Sequence, residues 1–391
     1  MEILLKLTKR VNEIELSSTI KLANKVRELC AKGERLINLS TGEPNLPTPE
    51  NVKLAAIKAI KENKTKYSHS KGNPDLRKIL CNRLNKKFGC KLDRDKNILI
   101  TPGCKQAIFY LILSIIEEGD EVLIPIPSWV SYPEIVKLAN GRPIYIECEE
   151  KNDFTLSFQK IKKAINKKTK AIIINNPNNP TGKIIRKDIL KNIQQLCIEK
   201  DIFLICDEIY DKIIFKSNKF FSILSINPKL KNCAVINGFS KTYSMTGWRL
   251  GYVITSFELI SAMNKIQQNS ATCPVTFTQY GAIEALKNAN DFVNKAIKIY
   301  EKNKNILLKE FKTLKNFRVI HPEGSIYLFI DISKISQDSN NFCLELLNKC
   351  KIVAVPGSAF GYNSKAYIRI CLSTDKENVI EFVKKLRENY N

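Results

Sequence analysis

Residues 97–125 read NILITPGCKQAIFYLILSIIEEGDEVLIP. Ile98, Leu99 and Ile100 form a short apolar run of the kind a buried strand shows. Pro102 and Gly103 end it in a tight turn. The segment 105–120 is long and rich in apolar residues, and it closes on two glutamates and a glycine, which is a helix with its stop. EVLIP (121–125) then begins a second apolar run. Strand, turn, helix, strand is the unit from which parallel sheets are built. The alternation continues through AIIIN (171–175), FLICD (203–207), AVIN (234–237) and GYVIT (251–255). Strands apolar on both sides of the pleat must be covered on both faces. The fold class is therefore α/β, with a mainly parallel sheet between helices.

At 391 residues the chain is long for a single core, so two domains, or one large domain with an appendage, are expected. A hydrophobic content of 44% with 26% charged residues places it among soluble globular proteins. No apolar stretch reaches the roughly 18 residues of a membrane span. The start, MEILLKLTKR, carries Glu2 and too short an apolar run for a secretory signal, so the cytoplasm is the expected location.

Lys and Arg number 63 against 39 Asp and Glu, a net charge of +24. A nucleic-acid partner is one reading of that excess. The lysines, however, are scattered along helical stretches such as KLAAIKAIKENKTK (53–66) and QKIKKAINKKTK (159–170), in a chain loaded with Lys, Ile and Asn. That is compositional drift, and no specific nucleic-acid partner is expected. The twelve cysteines include no C-x-x-C pair and often sit in apolar runs, which reads as reduced, buried thiols. With only His69 and His321, zinc sites and histidine-based triads are disfavoured, and no metal is expected.

Ligands of parallel sheets gather at the carboxyl ends of the strands. After NILIT comes Pro102-Gly103-Cys104-Lys105, a small turn opening a helix, suited either to an anion or to an ordinary connection. After AIIIN comes NPNNPTG (176–182), dense in amide and proline residues. FLICD ends on Asp207, a half-buried carboxylate unless it caps a helix. After AVIN comes a stretch of small, hydroxylated and aromatic residues holding one lysine, Lys241, and one arginine, Arg249. A desolvated lysine is a Schiff-base nucleophile, a buried carboxylate suits a pyridinium nitrogen, and an arginine at a helix start suits a phosphate. Pyridoxal phosphate uses all three.

Nine motifs then carry a resemblance over nearly the whole chain: STGEPNLPTPE (40–50), KTKYSHSKG (64–72), TPGCKQA (101–107), PSWVSYPE (127–134), NNPNNPTG (175–182), CDEIYD (206–211), NGFSKTYSMTGWRLGY (237–252), VPGSAFG (355–361) and YIRICLS (367–373). In this order and spacing the sequence resembles the fold type I, class I/II pyridoxal-phosphate aminotransferases, in their bacterial and plastid aspartate branch. The resemblance implies a large domain over 45–285 with a seven-stranded sheet. A smaller α/β domain is implied from both chain ends, 1–44 and 286–391.

The resemblance also implies roles. Lys241 holds the cofactor as a Schiff base and shuttles the substrate α-proton. Asp207 pairs with the pyridine nitrogen, and Tyr210 and Asn179 hydrogen-bond the ring's phenolic oxygen. Trp129 stacks on the ring, while Ser240, Arg249 and the turn Gly103-Cys104-Lys105 cradle the phosphate. Gly238 stands where more distant relatives have a serine phosphate contact. Tyr67 reaches the phosphate of a neighbouring subunit, which implies a homodimer. Arg369 clamps the substrate α-carboxylate bidentately, near Gly42, Asn179 and Trp129. Lys105 and Thr19 meet the distal carboxylate of aspartate or glutamate. Glu15 stands where relatives that also use prephenate have a lysine. The implied reaction is transamination between aspartate and 2-oxoglutarate, the alternatives being aromatic amino acids, prephenate, alanine or kynurenine.

Overall fold

The computed structural model describes residues 7–390; Met1–Lys6, on which the reading of the chain start rests, and Asn391 lie outside them. After a two-residue strand β1 (Ile37–Asn38) come β2 (Ile98–Thr101), β3 (Glu121–Ile126), β4 (Arg142–Glu147), β5 (Thr169–Asn175), β6 (Phe203–Asp207), β7 (Cys233–Gly238) and β8 (Gly251–Ile254). These last seven form one sheet in the order β2-β8-β7-β6-β5-β3-β4. Its central pairs are parallel, but β8 runs antiparallel to both β7 and β2. The cause is the connection: no helix crosses between β7 and β8, only the loop that carries Lys241, so the chain doubles back. Strand β4 escaped the reading of apolar runs because it lies at the sheet edge, half-exposed along most of its length.

Helices Pro74–Phe88 and Thr276–Asn288 cover one face of this sheet. Helices Cys104–Ile115 and Phe257–Ser270 cover the other. Both faces of the central strands are buried, which is why those strands read as nearly pure Ile, Leu and Val.

Beyond residue 285 the character changes. Strands β9 (Arg318–Ile320), β10 (Tyr327–Asp331), β11 (Ile352–Val353), β12 (Val355–Pro356) and β13 (Tyr367–Cys371) follow. Four of them make an antiparallel sheet, β12-β13-β10-β9, and β11 pairs with β1 from the other end of the chain. Helices Ser339–Cys350 and Lys376–Tyr390 pack on this sheet, around a second core that also takes in Ile209, Ile213 and Phe215 from the segment after β6. All twelve cysteines are free and eight are buried. Among the described residues no helix is long and apolar enough to cross a membrane.

Candidate active site

A cleft of about 460 Å³ opens where the carboxyl ends of β5, β6 and β7 face the smaller sheet. Strand β2 points the same way as β7, so the turn after it reaches the same edge.

Asp207, the last residue of β6, is buried rather than half-buried, and no helix follows for it to cap. Its carboxylate accepts a hydrogen bond from the Tyr132 hydroxyl at 2.7 Å and another from the Ile209 N–H at 3.2 Å. Burial pushes its pKa up to about 6, against the pull of those two donors and of Lys241. Asn175, in register with Asp207 on β5, accepts from the Asn179 N–H at 2.7 Å and donates to the Asp207 carbonyl at 3.0 Å. That pair fixes the polar loop after β5 to the end of β6.

Lys241 sits in the turn between β7 and β8, and its Nζ donates to the Gly42 carbonyl. Burial lowers its ammonium to about 8 from the ordinary 10.5, with Arg369 adding a smaller push in the same direction. An amine so placed gives up its proton more than two pH units earlier than an ordinary lysine and is half unprotonated near pH 8. Ser240 beside it is buried and lines the cleft.

Arg249 has a backbone φ of 50°, a left-handed conformation that a non-glycine residue holds only at a cost of order 1–3 kcal/mol. The conformation brings its guanidinium against Gly103, where a Cβ would stand 2.6 Å away. Gly103 itself has φ 92° and precedes the first turn of the helix Cys104–Ile115. Behind them, a Cβ on Gly238 would meet the Cys104 sulfur at 2.8 Å. Small residues therefore let an arginine and a helix N-terminus meet in one place, which is a site for an anion.

Arg369, on β13, is buried. Its Nη1 donates to the Asn179 amide oxygen at 3.1 Å and its Nη2 to the Ser40 carbonyl at 3.0 Å. Its Nε has no partner among the described residues. The guanidinium stacks 4.1 Å from the Tyr327 ring, and the Tyr327 hydroxyl accepts from Tyr210 at 3.1 Å. A buried guanidinium that lines the cleft, held by Asn179, Ser40 and the Tyr327 ring, offers its positive charge to an anion there.

Lys105 lines the cleft with its Nζ 5.0 Å from the centre of the Trp129 ring, and Trp129 stands edge-on to Tyr132. Desolvation and the nearby Arg249 lower the Lys105 pKa. Thr19 and Gly42 also line the cleft. Two further residues noted in the sequence, Tyr67 for a neighbouring subunit's phosphate and Glu15 as a departure from the prephenate-using relatives, lie outside this cleft. Tyr67 is 85% exposed on the outside of the chain, and Glu15 is exposed, lining a neighbouring hollow with its N–H bonded to Glu134.

Tyr132, Asn175, Tyr327 and Ser40 were not singled out in the sequence. Three of the four lie within quoted motifs, but what they touch is settled by strands and loops distant in the chain.

The fold and the cleft define an α/β enzyme built around a desolvated lysine amine, a buried carboxylate and two arginines. Residues 34–386 match the family described as aminotransferase class I and II, and the chain belongs to that family of pyridoxal-phosphate-dependent transaminases. It is 36% identical to the aspartate aminotransferase of Bacillus subtilis, over 99% of this chain and 100% of that one. It is also 36% identical to the probable aspartate/prephenate aminotransferase of Aquifex aeolicus, over 98% of each. Its structure matches that of the Thermus thermophilus aspartate aminotransferase with maleate at a TM-score of 0.94 and 33% identity, covering 98% of this chain and 100% of that chain.

Proposed function

We propose that the chain transfers the amino group of L-aspartate to 2-oxoglutarate, giving oxaloacetate and L-glutamate, with pyridoxal 5′-phosphate on Lys241. The observation that carries this reading is a pair of cations from separate elements, Arg369 and Lys105, lining one cleft with the lysine amine. A substrate with two carboxylates and one amine matches that arrangement, and the names of the relatives above agree with it.

The residues fit the cofactor. The Arg249 guanidinium at the helix start, with Gly103 leaving room, suits the phosphate. The buried Asp207 carboxylate has its own donors in Tyr132 and Ile209, and suits a protonated ring nitrogen. Trp129 offers a ring face, and Tyr210 and Asn179 offer polar groups to the ring's oxygen. When bound, the cofactor supplies a conjugated ring that accepts electron density from the substrate α-carbon. Asp207 keeps that ring's nitrogen protonated. Arg369 orients the α-carboxylate through its fixed fork of donors. Lys241 Nζ, whose lowered pKa eases loss of its proton, takes the α-proton in its free-amine form and returns it.

Pairing of two copies belongs to the same reading. Tyr67 and Val275 are exposed, and Thr276 bonds the carbonyl of Lys66, so the two lie together. Leu54 and Ile57, on the helix packed against Thr276–Asn288, extend the patch. A dimer would cover it and carry Tyr67 to the partner's cleft.

The experiment is a panel of amino donors assayed on purified protein, with 2-oxoglutarate as acceptor. Aspartate and glutamate should lead by kcat/KM. A lead by phenylalanine, alanine or kynurenine would replace the aspartate reading while leaving the transaminase assignment in place.

A further inference from the structure

A second cavity, about 410 Å³, lies on the sheet face covered by the helix Pro74–Phe88. Gly238, Phe239, Thr242 and Tyr243 line it, whereas Ser240 and Lys241 of the same turn line the active-site cleft. The turn is thus a wall between two hollows, and the mechanism uses only one of them.

The floor of the second cavity is aromatic. Phe239 stacks on Tyr243, with ring centres 5.9 Å apart and planes 30° from parallel, and meets Tyr252 edge-on at 5.9 Å. The rim is cationic: Arg83, Lys86, Lys87 and Lys212 line it, against two carboxylates, Glu208 and Asp211. Glu208 is buried, with a carboxylate oxygen accepting from the Ile223 N–H at 2.9 Å. Burial pushes its pKa up to about 8, so it contributes little negative charge near neutrality. Four cations then face one effective carboxylate, Asp211. Lys87 and Lys212 both line the cavity; desolvation, and then the neighbouring Lys212 charge, lower the Lys87 pKa, while Asp211 and Glu208 oppose this without overcoming it. The Lys87 amine also lies 4.7 Å from the centre of the Phe88 ring, and an anion seated among these cations would be favoured by their unbalanced charge.

We propose that this cavity binds a small organic anion with an aromatic body, its charged end at Lys87 and Lys212 and its ring against Tyr243 and Tyr252, which Phe239 backs. Such a ligand would rest against the back of the turn that carries Lys241, which is the place of a regulatory site rather than a second catalytic one.

The test is calorimetric titration of the holoenzyme with phenyl phosphate, and separately with inorganic phosphate. One saturable phenyl phosphate site per chain is expected, weakened about tenfold or more by Lys87→Glu and likewise by Lys212→Glu, the scale of a charge-assisted contact. Arg369→Leu, which disables the active-site cleft, should leave that affinity in place. Inorganic phosphate should bind more weakly than phenyl phosphate, since it has no ring to stack. The proposal is overturned by absence of saturation up to roughly 10 mM, weaker than any useful site, or by affinity unchanged in both charge-reversal variants. Loss of binding in Arg369→Leu overturns it too, by placing the anion in the active-site cleft. Equal affinity for the two probes overturns the aromatic part. Both charge-reversal positions lie at the rim, and circular dichroism checks that each variant keeps its fold.

Discussion

The Tyr132 hydroxyl donates to the Asp207 carboxylate at 2.7 Å across 75 residues of sequence. The bond stabilises the ionised form of a carboxylate that burial would otherwise protonate. A neutral Asp207 has no charge to offer a protonated ring nitrogen. Tyr132→Phe removes one donor to a charged group, which is worth about 1.5–3 kcal/mol and so raises the carboxyl pKa by about one to two units. The acid limb of the kcat/KM profile should therefore move to higher pH, with the alkaline limb unmoved. An acid limb that stays in place would assign Tyr132 to packing with Trp129 alone.

The unusual pKa values also make the stability of the cofactor-free protein depend on pH. Asp207 is raised from 3.8 to about 6, so the folded chain holds its proton more tightly than the unfolded chain does. Its contribution is fully present below pH 4 and is lost as pH rises through 6, about 3 kcal/mol in all. Lys241 is lowered from 10.5 to about 8, so the folded chain binds fewer protons between those values and gains stability as pH rises from 8 to 10.5. Asp207→Asn in the cofactor-free protein should flatten the unfolding free energy between pH 4 and 6, and Lys241→Met should flatten it between 8 and 10.5. Denaturant titrations across both windows check this, and slopes unchanged by the substitutions would contradict it.

Lys241 is the only lysine of its turn and donates to the Gly42 carbonyl from the cleft. Lys241→Ala should keep the fold and hold cofactor without a covalent link, while turnover falls by several orders of magnitude, the general-base share alone being about 10²–10⁴. Borohydride reduction of the wild-type holoenzyme followed by peptide mapping should place the label on Lys241. A label on another lysine would sink the assignment.

The large sheet was legible because its central strands are buried on both faces and so are apolar without interruption, as in FLICD and AIIIN. Strand β4 was not, because an edge strand mixes exposed and half-buried positions. The site divides in the same way. Lys241, Asp207 and Asn179 stand at strand ends where local pattern marks them. Tyr132 shares a motif with Trp129, yet its bond to Asp207 requires knowing that the chain after β3 folds over the end of β6. Tyr327 becomes part of the site only through the antiparallel register of β10 with β13, which sets Phe329 opposite Arg369. No run of residues in the sequence encodes that register by itself.

On the proposed function, Lys105 is the residue that would decide the substrate class. In that reading Arg369 would serve the α-carboxylate that every amino acid carries, so it could not discriminate between donors. Discrimination needs a second cation, and Lys105 lines the same cleft from the turn after β2, with its amine near the Trp129 ring. Its pKa is lowered by desolvation and by Arg249, so an incoming carboxylate would favour its charged form and be held by it. Replacing Lys105 by Met keeps most of the side-chain volume and removes the charge. A charge-assisted hydrogen bond is worth about 1.5–3 kcal/mol, or about ten- to a hundredfold. Lys105→Met should lower kcat/KM for aspartate and glutamate by about that factor and leave alanine and phenylalanine far less affected. If dicarboxylic and neutral donors fall together, Lys105 serves the anion cradle at Gly103 and Arg249 instead, and the distal carboxylate must be met by another group.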